Sequence, residues 1–227
     1  MKNKLYILAI FLLATSFAHA QSFMEGFDRF SSKKPAYLTL QNGQKVEGTI
    51  EDLDRKKGNI SEITLKVNGK KKTFTPEEIK EMYLPASGLD KFSKQMEVGT
   101  NLSKDLKSER VSEGYGYFEF TEVEMKGKIK PLLMQLVNIG FDNKIKVFFD
   151  PFARETVSVG YGPLKVGGLD RSYYVKQGDN PAYKITKSNY EEWGTEAMKD
   201  CPEAVKTLVS NSWNKLHVTI NTHANCK

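Results

Sequence analysis

The chain has 227 residues, 39% hydrophobic and 27% charged, with a formal net charge of +6 and two cysteines. This length allows two domains of ordinary size or one large one. The positive excess is small and interspersed, densest at Lys70-Lys71-Lys72, so the concentrated basic face of a nucleic-acid binder is missing.

Residues 1–20 read as a secretory signal peptide. Lys2 and Lys4 form a basic start, Leu5 to Leu13 an apolar stretch too short for a membrane span, and Ala18-His19-Ala20 a small-residue cleavage site. No cysteine follows the cut, so lipoprotein attachment is not expected. No later stretch approaches the ~18 apolar residues that a second span needs. The mature chain, from Gln21, is expected to be exported and soluble, in the periplasm or outside the cell. Losing Lys2 and Lys4 from 34 basic residues leaves an excess of about 4 over 28 acidic ones. In that oxidising setting Cys201 and Cys226 are expected to form a disulfide.

In residues 21–35, Phe23, Phe27 and Phe30 fall at i, i+4 and i+7, the spacing of a short docking helix. Residues 36–84 read as five short strands in a small β-barrel domain. The first hairpin turns on Asn42-Gly43 and a later one on Asn68-Gly69. Gly48, inside the second strand, implies a bulge or a sharp bend. Thr75-Pro76-Glu77-Glu78 is a helix-start signature before the last strand, Ile79 to Leu84. Leu38-x-Leu40-x-Asn42-Gly43 followed by Val46-x-Gly48-x-Ile50 resembles the first half of Sm-like barrels, a variety of SH3-like fold. The resemblance covers about fifty residues and implies the barrel. It does not carry over RNA binding, because Asn59, in Gly58-Asn59-Ile60-Ser61, lacks the rest of the base-binding pattern and the chain is exported.

Residues 85–114 read as a polar linker with helical turns, and 115–227 as an antiparallel β-sheet domain with a helical tail. In Tyr117 to Met125 the apolar alternation changes face, which predicts a bulge near Thr121-Glu122. Leu132 to Val137 is apolar on both faces, as in a central strand, and Lys144 to Phe149 is expected to return antiparallel to it. Thr156 to Val159, Lys165-Val166, Ser172 to Val175 and Ala182 to Ile185 are further short strands around glycine-rich loops.

Ser188-x-x-Glu191 reads as a capping box that starts a helix through Trp193 and Met198. Asp200 is the expected N-cap of a second helix. For 213–225, helical spacing of Trp213, Leu216, Ile220 and Ala224 competes with a strand through Leu216, Val218 and Ile220. Two helices would form an antiparallel hairpin with Cys201 and Cys226 at its open end, so that their bridge acts as a clasp. Leu136-Val137-Asn138-x-Gly140-Phe141-Asp142, Lys144-Ile145-Lys146-Val147, Asp150-Pro151-Phe152-Ala153, Tyr173-Tyr174-Val175-Lys176 and Asp200-Cys201-Pro202-Glu203 together resemble uncharacterised exported proteins of Bacteroidetes-type bacteria. That resemblance implies a Gram-negative envelope setting and no activity.

Little in the chain points to chemistry, and it calls for no cofactor and no catalytic residue. His217 and His223, six apart on a helix, do not share a ligand face. Cys201, His223 and Cys226 as three metal ligands are the lesser alternative to the disulfide. No Gly-x-Ser-x-Gly is present. The softer signal is tyrosine. Tyr161, Tyr173, Tyr174 and Tyr183 gather near glycine-rich loops, where amphipathic rings suit sugar or peptide recognition. The expectation is therefore a non-enzymatic envelope or extracellular module that binds a protein or glycan. A hydrolase of envelope polymers and a structural assembly protein are the alternatives.

Overall fold

The computed structural model describes residues 22–87, 106–153, 172–210 and 212–227. The expected signal peptide, Tyr161 and the strands expected at 156–159 and 165–166 lie outside them.

The molecule is mainly β. Strands β1 (Pro35–Leu40), β2 (Lys45–Lys56), β3 (Asn59–Val67), β4 (Lys70–Phe74) and β5 (Ile79–Pro85) fall where the alternation and turn residues put them. Asn68 and Gly69 adopt φ of 49° and 78°, the left-handed pair that a two-residue hairpin requires. Gly48 sits beside Thr49, which pairs with Pro35 of β1 and also with Lys66 of β3. A Cβ at Gly48 would lie 2.7 Å from Lys66 O, so the glycine permits the close approach where β2 changes partner. Pro76–Glu78 forms a 3₁₀ turn, and Thr75 N–H donates to Glu78 Oε2 at 2.8 Å.

The boundary placed between 114 and 115 does not divide the sheet. After a helix, α1 (Leu106–Ser112), strand β6 (Tyr115–Met125) pairs along β5, and β7 (Lys128–Gln135) pairs along β6. The seven strands run β2-β1-β5-β6-β7-β3-β4, with β2 also paired to β3. Each strand gives residues to one core, among them Leu38, Ile50, Ile63, Phe74, Met82, Phe118 and Leu133. A strand's own alternation carries no mark of which sheet it joins, hence the misplaced boundary.

The bulge expected near Thr121 is absent. The β6–β7 register runs unbroken from Phe118↔Gln135 to Met125↔Lys128. Odd-numbered Tyr115, Tyr117, Val123 and Met125 all face one core, while Phe118 and Phe120 face the other. Both faces are covered at the start of β6 and only one further along, which imitates a change of face. Leu132 to Val137 is buried on both sides as expected. Strand β8 (Ile145–Phe149), however, leaves β7 after the single bridge Leu136↔Phe148. It joins β9 (Ser172–Gln177) and β10 (Tyr183–Thr186) in a second, three-stranded sheet.

This small sheet is a middle layer. Phe148 and Tyr174 pack with Tyr83, Tyr117 and Met134 of the large sheet. Val147, Tyr173, Val175 and Ile185 pack with α2 (Tyr190–Ala197), α3 (Pro202–Ser210) and α4 (Leu216–Asn225). The C-terminal element is thus a helix, preceded by a 3₁₀ turn at Trp213–Lys215. Ala204 N–H, in the first turn of α3, approaches Cys201 Sγ at 3.4 Å, so this sulfur stands where Asp200 was expected to cap. No helix among the described residues is long and apolar enough to cross a membrane.

The segment before β1 is extended rather than helical. Met24 N–H bonds Val137 O, Phe27 N–H bonds Gln135 Oε1, and Ser31 N–H bonds Pro85 O. Its phenylalanines separate, Phe23 to the helix-side core and Phe30 to the large-sheet core. Their helical spacing coincides with the reach of a strap laid over several layers. Phe23 also meets the ring of half-buried His217 edge-on at 6.0 Å. Burial holds His217 below its ordinary value of 6.5. A base depressed in the folded state contributes stability above its unfolded value and loses it as pH falls through the folded one. The urea midpoint is therefore expected to fall between pH 7.5 and 5, and His217→Phe to flatten that fall. Equal slopes for the two proteins would refute this role.

Candidate functional site

The structure separates the three described tyrosines among those singled out in the sequence, Tyr173, Tyr174 and Tyr183. Tyr173 and Tyr174 are 6% and 5% exposed, so neither forms a binding surface. β9 is the middle strand of a sheet covered on both faces, and alternation sends the two rings into different cores. Tyr173 packs on Phe23 and Trp213 at 5.1 and 5.7 Å. Tyr174 lies between the sheets, where burial and then Asp150 push its hydroxyl up to about 12. Tyr183, on edge strand β10, is half-buried and reaches a surface groove.

That groove, of about 680 Å³, lies between the β9–β10 hairpin and α2. The local sequence builds it in three steps. β10 ends at Thr186, whose N–H and hydroxyl both donate to Asn189 Oδ1, at 2.6 and 3.1 Å. The turn so formed makes Asn189, not Ser188, the N-cap of α2. Helical spacing then buries Tyr190 and Gly194 and leaves Trp193 half-buried on the flank. Gln177 Nε2 donates to Ala197 O at 2.9 Å and ties the hairpin to the far end of the helix.

Tyr183 and Trp193 meet in the groove with centroids 6.5 Å apart at 70°. Burial pushes the Tyr183 hydroxyl up to about 12, so it is a neutral donor and acceptor at ordinary pH. Asn180, Asn189, Glu192, Glu196 and Asp200 supply polar groups around the rings. Lys199, the groove's basic residue, is an exposed ion-pair partner of Glu196. Lys144 pairs with Asp200 from outside the groove at 3.5 Å, so three acids against two bases leave this face one charge negative on a net-positive chain. Trp193 had the spacing of a core position, and local spacing cannot separate a ring inside a core from one at its rim.

Two other polar clusters are internal braces. Glu81 and Glu119 stand directly opposite on β5 and β6, an unfavourable like-charge pair on its own. Lys146 of the second sheet donates to both Glu119 oxygens at 2.8 and 2.9 Å, and Tyr117 and Thr39 donate to Glu81 at 2.9 and 3.2 Å. All four carboxylate oxygens are engaged, and the knot ties the two sheets together. Burial, then Glu119 and Glu81, hold the Tyr117 hydroxyl far above its ordinary value. The second cluster is Asp150, fully buried, which accepts from Ser172 Oγ at 2.7 Å and pairs with Lys184 across the small sheet.

Cys201 and Cys226 are disulfide-bonded, with Cα atoms 6.0 Å apart. Their sulfurs are therefore not metal ligands. Among the described residues no group of three or more His, Cys, Asp or Glu is placed to hold a metal ion. Buried His223 instead bonds Asp200 through Nε2 at 2.8 Å beside the bridge. The hydrogen bond from His223 is the main cause that holds Asp200 below its ordinary value. Comparison with protein-family models, curated proteins and solved structures finds no match for this chain.

Proposed function

We propose that the chain is an exported, non-enzymatic module of the cell envelope or extracellular space. It binds an envelope protein or glycan in the groove between the β9–β10 hairpin and α2. The observation that carries this reading is the half-buried Tyr183–Trp193 pair, which lines an open groove together with amide and carboxylate side chains. Ligand sites join a few apolar rings to a few convergent polar groups in this way. The leader-like residues 1–20, the disulfide and the likeness to exported Bacteroidetes-type proteins support a periplasmic or external setting. The β2–β3 pairing, which brings the strand order back on itself, supports reading β1–β5 as a small SH3/Sm-like barrel that β6 and β7 extend.

The test is a pull-down from envelope extract with the mature protein and a Tyr183→Ala/Trp193→Ala variant, with the eluate split between protease and periodate treatment. Material retained by the wild type and lost with the variant is the expected result. Equal retention by both would overturn the assignment of the groove. The exported protein should begin at Gln21 by mass spectrometry, and a secreted form that keeps residues 1–20 would overturn the compartment.

A further inference from the structure

We infer that the ligand of the Tyr183–Trp193 groove is a neutral glycan chain. This rests on the groove being the binding site proposed above, and narrows what it binds.

The rings come first. A sugar offers a C–H face and a rim of hydroxyls, and a half-buried aromatic with a polar tip complements both. Tyr183 and Trp193 meet edge to face, so the ring that lends its edge keeps its own faces clear of the other. The polar groups follow. A polyol both donates and accepts at each hydroxyl, so its site needs both kinds of partner. Glu192 offers a carboxylate acceptor, the Gln177 amide keeps its oxygen after Nε2 is spent on Ala197, and Asn180 brings a second amide. The Trp193 indole N–H is a donor bonded to no described residue.

The charge excludes acidic chains. Glu192, Glu196 and Asp200 face the groove; Lys199 pairs with Glu196 and Lys144 with Asp200, which leaves the Glu192 carboxylate uncompensated among the described residues. A uronic acid or phosphate-bearing polymer would bring like charges into this face.

Peptide recognition fits less well. An added strand would have only the four residues of edge strand β10 (Tyr183–Thr186) to pair along, and docked helices need an apolar trough. This groove offers rings, amides and acids instead. Proline-rich segments insert a pyrrolidine between separated aromatic rings, whereas here the two centroids are 6.5 Å apart and the rings are in contact, which leaves no slot.

The experiment is isothermal titration of the mature protein with chitotetraose, cellotetraose, mannotetraose, tetragalacturonate and a decaproline peptide. Saturable binding to at least one of the three neutral sugars is expected, weakened about tenfold or more in Trp193→Ala. Trp193→Phe should recover part of it, and matching circular dichroism of the variants controls for folding. Tightest binding to tetragalacturonate, or Trp193-dependent binding of decaproline, would overturn the glycan assignment and leave the groove as a binding site. Failure of all three neutral sugars at millimolar concentration would also overturn it. The pull-down then separates the two readings: if capture still depends on Tyr183 and Trp193, the ligand class alone is wrong, and if it does not, the groove is wrong as well.

Discussion

Asn138→Ala is expected to destabilise the protein by about 3 kcal/mol, a large effect for one polar side chain. Asn138 is fully buried at the point where the chain leaves the large sheet for the small one. Its Nδ2 donates to Phe141 O at 3.0 Å and Ile145 O at 2.7 Å, and its Oδ1 accepts from Val147 N–H at 2.8 Å. Alanine removes all three bonds and leaves their backbone partners facing an apolar cavity. A typical bond contributes about 1 kcal/mol net, and each orphaned buried group costs about 1–3 kcal/mol.

The damage should spread, because the loop from Asn138 to Lys144 grips much of the molecule. Phe141 packs in the helix-side core, Asp142 pairs with Lys107 of α1 at 2.7 Å, and Asn143 bonds Ala224 O at 2.9 Å. Asn138→Asp, which keeps only the acceptor and turns a carboxylate toward two carbonyl oxygens, should destabilise at least as much at neutral pH. Urea unfolding measures both variants. A loss for Asn138→Ala below about 1 kcal/mol would show that water restores the lost bonds.

Reduction of the Cys201–Cys226 bridge should cost about 3.5 kcal/mol, because it frees a loop spanning 25 residues in the unfolded chain. For a chain of this size that is a fall in melting temperature of roughly 10 °C. The helical hairpin should nevertheless keep its fold after reduction. Lys144 Nζ holds Cys226 O at 3.0 Å, His223 holds Asp200, and Asn143 holds Ala224. Unchanged helical circular dichroism at low temperature, with an earlier melt in reductant, is the expected pair of observations. Coincident melts in oxidised and reduced samples would refute the estimate, and two reactive thiols in native protein would refute the bridge itself.

These two predictions differ in how visible their residues are in sequence. The bridge could be read from the chain, because two cysteines flanking a helical hairpin are a matter of local spacing. Asn138 could not, since its bonds reach Ile145 and Val147, and their positions depend on where β8 turns. The candidate groove divides likewise. Tyr183 was singled out by its residue type and its place beside a turn. Trp193 has only helical spacing to mark it, and the part played by Glu192 and Asp200 depends on how α2 lies against the hairpin. Tyr173 and Tyr174 failed for the opposite reason. Their strand was correctly placed, but its burial came from a large sheet on one face and helices on the other.

By itself, then, the sequence determined what short-range physics controls. Glycine-bearing turns and alternation placed β1 to β5, helical periodicity and proline placed α2 and α3, and two cysteines in an expected oxidising compartment placed the bridge, while helix against strand for α4 was left to the tertiary structure. The tertiary structure alone decided which strands share a sheet. It put β6 beside β5 and β7 beside β6, sent β8 to a second sheet, and laid Phe23, Phe27 and Phe30 out as a strap rather than a helix. The reason is that an apolar face records that it will be covered and does not record what will cover it. The groove at Tyr183 and Trp193 is the place where that covering stops.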